Sequence, residues 1–282
     1  MNWHAMNWRA MNWRAIRAIV RKDLKVALQN KGVSIPLIVV PAILMVILPA
    51  ISALVPLFED NLATSLQEFE TFLAQMPPGL QSQLAGYDEA QTLIVLILVY
   101  FFAPMYMILP LMVASVIAAD SFAGEKERKT LEALLYTPTT DGELFLAKVL
   151  AAWTPAVAVA WGGFILYAVV ANVAAWPTMG HIFFPNAMWL VLALWVAPAA
   201  AGVGLGATVL VSVRAEGFQD AYQLGAIVVL PIVLLVIGQA TGVIYFSTWL
   251  VLLLGLILWL VDVALLWFGG RTFQRSALAA RL

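Results

Sequence analysis

Apolar residues run along this chain in six long blocks, at 35–58, 92–119, 149–174, 188–212, 222–243 and 247–269, separated by polar intervals. A helix needs roughly 20 residues to cross about 30 Å of hydrocarbon, and every block reaches that length. The pattern predicts six transmembrane helices in one domain over 35–269, with polar loops at 59–91 and 120–148. Ahead of the first block, Ile16, Ile19, Val20, Leu24, Ala27 and Leu28 form an apolar stripe, while Arg17, Arg21 and Lys25 line another side at i, i+4 spacing. This predicts a basic amphipathic helix over 16–34 lying in the headgroup plane, with Gly32 and Pro36 permitting the turn into the first span. In the first loop, Leu66, Phe69, Phe72 and Leu73 recur near helical spacing, so a small amphipathic helix is expected to end before Pro77 and Pro78. In the second loop Pro138 separates two helical pieces. The first carries the mixed-charge turn Glu125, Lys126, Glu127, Arg128 and Lys129, then the apolar edge Leu131, Leu134 and Leu135. The second starts at Thr140 and Glu143, which have capping-box spacing, and runs into the third span.

Charge gives these blocks an orientation. All fifteen Lys and Arg fall in the N-terminal segment, the 120–148 interval, the fourth-to-fifth connection (Arg214), or the tail 270–282, which has Arg271, Arg275 and Arg281. By the positive-inside bias, those segments and both termini are cytoplasmic, and the protein belongs in the cytoplasmic (inner) membrane. The 59–91 loop instead carries Glu59, Asp60, Glu68, Glu70, Asp88 and Glu89 and reads as a solvated outer face. Charged residues make up only 11% of the chain against about a quarter in soluble proteins, and hydrophobic residues 63%, so the fold class is all-α integral membrane. The near-neutral net charge of -1 suggests no nucleic-acid partner. With no cysteine and only two histidines, His4 and His181, in separate segments, no metal site is expected. The first apolar block starts only at Ile35 and is too long for the core of a cleavable signal peptide. Residues 1–15 repeat MNWHA, MNWRA, MNWRA, offering starts at Met1, Met6 and Met11. A five-residue period fits neither helix nor strand, so the segment is read as disordered repeat expansion, with a membrane-surface Trp anchor as the alternative.

Few residues inside the blocks carry chemistry. Asp262 is the one ionisable side chain within a predicted span, roughly 13 Å along a helix from Arg271. Two readings stand beside each other: a structural carboxylate meeting an interhelical partner, or a residue used in transport or proton coupling. Gln239 and Asn172 are among the few other polar exceptions and are candidates, with Asp262, for a substrate pathway. Gly202 and Gly206 have the small-xxx-small spacing that lets helix backbones approach closely, within one subunit or across a dimer. Prolines 41, 49, 104, 110, 155, 198 and 231 fall within spans, where each can kink its helix.

The run Phe122-Ala-Gly-Glu-Lys-Glu-Arg-Lys-Thr-Leu-Glu-Ala-Leu-Leu-Tyr-Thr-Pro138, with Lys148 nearby, resembles the second-type permeases of ATP-binding-cassette (ABC) exporters, especially the sodium-extruding and drug-exporting branch. The stretch Val211-Ser-Val-Arg-Ala-Glu-Gly-Phe-Gln-Asp-Ala-Tyr-Gln is similar to them too, and Arg21-Lys-Asp-Leu-Lys is a weaker match. The resemblance implies a six-span, type V ABC exporter-like permease fold that pairs with a second permease copy, as a homodimer, and with two ATPase subunits that bind the ATP and magnesium. It also implies a coupling helix over 125–135, with Glu125, Glu127, Arg128, Thr130, Glu132 and Leu135 making the contact or bracing it. No G-x-x-x-x-G-K-[ST] phosphate loop occurs, because no lysine follows a glycine, and no hydrolytic constellation is present. The chain itself is therefore not expected to be an enzyme. Two alternatives remain: a non-transport ABC membrane platform transmitting ATPase-driven motion, and an ion-coupled secondary transporter using Asp262.

Overall fold

The computed structural model describes residues 11–57, 78–130, 139–241 and 243–272. Among these residues all regular structure is helical. We number the helices α1 (Trp13–Gln29), α2 (Lys31–Leu54), α3 (Pro78–Leu84), α4 (Glu89–Glu127), α5 (Asp141–Met179), α6 (Ala187–Ser212), α7 (Phe218–Ala240) and α8 (Thr248–Thr272). Six of them, α2 and α4 to α8, are long and apolar enough to cross a membrane. The expected small helix at 66–73, the repeat at 1–10, and Glu132, Leu135 and Pro138 lie outside the described residues.

Helices α4 and α5 overrun their apolar blocks at both ends, because hydrocarbon sets only where a helix must be apolar and polar turns can prolong it. Helix α5 begins at the predicted capping box: Glu143 N–H donates to Thr140 Oγ1 (3.2 Å), and Thr140 N–H donates to Glu143 Oε2 (2.8 Å). Helix α4 runs past its apolar block to Glu127 and is closed by a Schellman turn. Thr130 N–H bonds Glu125 C=O (3.0 Å) and Lys129 N–H bonds Lys126 C=O (3.1 Å), with Lys129 left-handed at φ 55°. Of the crossing helix expected over 125–135, the structure corrects the start: residues 125–127 continue α4 and the chain turns at 128–130, while 131–135 lie outside the described residues. The turn was hidden because lysine holds a position that glycine usually marks.

Helix α1 lies along the start of α5, burying Ile16, Ile19, Asp23 and Ala27 at helical spacing. Leu28, expected on the apolar stripe, is exposed, and Asp23 takes a place on the buried line because a lysine of α5 awaits it. Helices α4 and α6 are the most enclosed; α2, α7 and α8 leave most of their apolar surface open. Close approach at α6 depends on glycine. A Cβ at Gly204 would meet the Ser115 Oγ of α4 at 2.9 Å, one at Gly206 would meet Leu265 Cβ of α8 at 2.7 Å, and one at Gly202 would collide with the Asp262 carboxylate.

Four π-helical turns interrupt these helices: Ile43–Ile47, Leu96–Phe101, Asp120–Gly124 and Leu192–Val196. Pro49, Pro104 and Pro198 follow three of them; a proline has no N–H and frees the carbonyl one turn back. Side-chain donors satisfy carbonyls in such turns. Tyr167 Oη donates to Leu98 C=O (2.5 Å), Trp189 Nε1 to Val99 C=O (2.7 Å) and Trp161 Nε1 to Ala193 C=O (2.9 Å). Trp189 and Tyr167 also stack, with ring centroids 4.9 Å apart, at the heart of the aromatic core. The remaining π turn, Asp120–Gly124, has no proline following it within α4, and it is where charges collect.

Candidate functional site

The C-terminal end of α4 buries Asp120, Ser121 and Glu125, and Lys148 from the second turn of α5 is wholly buried beside them. Buried charges are tolerated only when paired and hydrogen-bonded. Lys148 Nζ donates to Glu125 Oε2 (2.6 Å) and to the Ser121 carbonyl (2.5 Å), a carbonyl within the π turn. Lys22, from α1, donates to the other Glu125 oxygen (2.6 Å). Asp23 stands 2.8 Å from Lys22 and 3.6 Å from Lys148. It acts through charge alone, since neither of its oxygens has a hydrogen bond. Glu125 is thus clamped between lysines of two other helices.

A second pair extends this junction. Arg128 Nη1 donates to Asp120 Oδ1 (2.8 Å), and the same oxygen accepts from Asn30 Nδ2 (3.0 Å). Asn30 also caps α2, its Oδ1 accepting from Gly32 N–H (3.0 Å), so one side chain ties the start of α2 to the end of α4. Lys22, Lys148 and Arg128 balance Asp23, Glu125 and Asp120. Burial pulls the Lys22 pKa down, but the close carboxylates of Asp23 and Glu125 outweigh it and hold the ammonium above its ordinary value. Arg128 behaves alike: burial lowers it, and its bond and charge contact with Asp120 raise it.

The same segment reaches the turn between α6 and α7. Lys126 Nζ donates to the Ala215 carbonyl (3.0 Å), and Glu127 Oε2 accepts from Phe218 N–H (2.9 Å), capping α7 from another helix. Gly217 makes room for that carboxylate, since a Cβ there would lie 2.6 Å from Glu127 Oε2. Elements α1, α2, α5 and the α6–α7 turn therefore all meet the last eight residues of α4.

Of the residues singled out from the sequence, Glu125, Glu127, Arg128 and Thr130 belong to this junction, Thr130 through an Oγ1 bond to the Glu125 carbonyl (3.3 Å). The sequence reading did not single out Lys22, Asp23, Asn30, Asp120 or Lys148 as site residues. Their signal was faint: Lys22 and Asp23 sit in the weak Arg21-Lys-Asp-Leu-Lys match, and Asp120 and Lys148 stand just at the edges of apolar blocks. The remaining candidates lie elsewhere. Asn172 spends its amide on the α5–α6 connection, accepting from Phe183 N–H (3.1 Å) and Phe184 N–H (3.3 Å) and donating to the Phe184 carbonyl (2.7 Å). Gln239 holds the α7–α8 turn by accepting from Phe246 N–H (3.2 Å). Gly202 and Gly206 face α8 of the same chain, and Asp262 lies buried against Gly202. Among the described residues no cluster of His, Cys, Asp and Glu could hold a metal ion.

Six apolar crossing helices define a multi-pass membrane protein, and a balanced cluster of charges sits where α4 ends. Residues 17–252 match the family described as ABC-2 family transporter protein, and the chain belongs to that family. It is the membrane permease component of an ABC transporter, a class that carries no ATPase of its own and works with an ABC ATPase. No curated protein and no solved structure shows a significant match.

Proposed function

We propose that this chain is the transmembrane subunit of an ATP-driven exporter in the inner membrane, with both termini in the cytoplasm. Two copies form the pathway, and two ATPase subunits, holding ATP and magnesium, dock where α4 ends. The observation that supports this reading is the junction. A push on the turn after Glu127 reaches α1 through Lys22, α5 through Lys148, α2 through Asn30 and α7 through Glu127 without crossing a flexible segment. Such a joint turns movement of one surface loop into movement of several spans, which alternating access requires. Glu125, Arg128 and Thr130 brace the joint from within, Lys126, Glu127 and Lys129 offer the contact surface, and the family resemblance assigns Glu132 and Leu135 to the same contact. The walls between the helices are apolar and aromatic, which favours an amphipathic or apolar substrate over a small ion.

The test is reconstitution. Purified alone in vesicles, the chain hydrolyses no ATP; co-expressed with its ABC ATPase it purifies as a complex, and inside-out vesicles accumulate an amphipathic fluorescent probe when ATP is added. Accumulation driven by a proton or sodium gradient with no ATPase present would contradict the reading. ATP-driven movement with no solute translocated would instead mark a force-transmitting platform.

A further inference from the structure

Asp262 lies in α8, in the stretch beyond the residues 17–252 that match the family, and the junction makes no use of it. The side chain is 2% exposed, and neither carboxyl oxygen has a hydrogen-bond partner. It fills the notch left by Gly202 on α6, so its surroundings there are bare backbone and alanine rather than water. One turn away on the same face, the Trp259 indole N–H is also buried without an acceptor, and its ring packs against Trp195 of α6 at 5.8 Å.

No counter-charge faces this carboxyl among the described residues. Helix α6 contains no ionisable residue at all between Ala187 and Ser212. Helix α5 approaches α8 at Phe145, beside Gly269, and its neighbouring charges are taken: Glu143 by Thr140 and Asn12, Lys148 by Glu125. On α8 itself the one other ionisable residue, Arg271, lies over the Trp267 ring at 3.5 Å. A lone carboxylate cannot supply the several oxygen donors a metal cation requires, and among the described residues no acidic cluster adds to it. An ionised carboxylate with neither water nor partner is among the most costly groups to bury, and such a group takes up a proton instead.

We propose that Asp262 is a proton-binding site between α6 and α8. The carboxyl holds its proton while the two helices are packed; when they part and water reaches the Gly202 notch, the O–H bond breaks, the proton passes to water and the carboxylate keeps the electron pair. Opening of this contact is thereby linked to release of one proton per chain. The inference rests on the α6–α8 contact and is independent of how the permease is driven.

Infrared spectroscopy of the full-length protein in lipid nanodiscs tests it. At neutral pH the native protein is expected to show a protonated carboxylic-acid C=O band that shifts when the chain is grown on aspartate carrying carbon-13 in its side-chain carboxyl. Asp262→Asn is expected to abolish that band. Should this variant not fold, Asp262→Glu keeps a carboxyl but removes the band's response to labelled aspartate. Absence of the band in the native protein, or a band that still answers to labelled aspartate in both variants, overturns the proposal.

Discussion

Lys148 illustrates how much one residue holds at the junction. Its ammonium is wholly buried between Glu125 and Asp23, so Lys148→Met leaves two buried carboxylates with Lys22 alone to balance them. Loss of one member of a buried pair costs about 3–5 kcal/mol, and thermal unfolding in detergent should show a drop of that size. Adding Glu125→Gln should cost less than the sum of the single changes, because Lys22 then balances Asp23 alone. Lys129 offers the opposite case. A side chain in the left-handed region is strained, so Lys129→Gly should stabilise the protein by roughly 1 kcal/mol in the same assay. The Lys22 link has a defined pH window. Its folded-state value is raised above 10.5, so its contribution is complete below that value and is lost only as pH climbs through the raised one. The chain has no cysteine, so a spin label at Ala18→Cys reports α1 alone. Its mobility should stay constant from neutral pH to the ordinary lysine value and rise only beyond it.

At the scale of elements, what could be read from the sequence depended on whether a signal was local. Six apolar blocks announced six spans, and the Thr140–Glu143 box announced where α5 starts, because both are properties of neighbouring residues. The π turns near Pro49, Pro104 and Pro198 were foreshadowed as kinks by the missing N–H. The turn at Asp120–Gly124 was not, for it has no proline, and it depends on Lys148 arriving from another helix to meet the Ser121 carbonyl. For the same reason Lys22, Asp23, Asp120 and Lys148 each read singly as an ordinary charge at a membrane edge; only the packing of α1, α4 and α5 makes them partners. The cap that Glu127 places on α7 is a further contact between distant residues. Glu127→Ala leaves the Phe218 N–H without its acceptor, a loss of about 1 kcal/mol at that helix end. Amide exchange at 218–221 should accelerate while exchange in α1 stays unchanged. Gly206→Val should prise α8 from α6 and lower stability by about 1–3 kcal/mol through overpacking against Leu265.

For the molecule as a whole, the permease divides its labour between two ends. One end gathers the balanced charges around Glu125; at the other, turns such as the one Gln239 holds join the spans in short connections. Aromatic and glycine-mediated contacts along α4, α6 and α8 connect the two. If the junction relays motion, a disturbance at its surface must be felt at the far ends of the helices. Trp176 on α5 and Trp249 on α8 are exposed there, and Trp176→Cys with Trp249→Cys gives a label pair in a chain that is otherwise free of thiols. The decisive measurement is the distance between these two labels in the complex with the ABC ATPase, before and after ATP, with and without Lys126→Ala and Glu127→Ala. The account predicts that ATP shifts the distance in the otherwise native chain, and that the double substitution abolishes the shift while the ATPase stays bound and hydrolyses ATP. An undiminished shift in the substituted chain would contradict it.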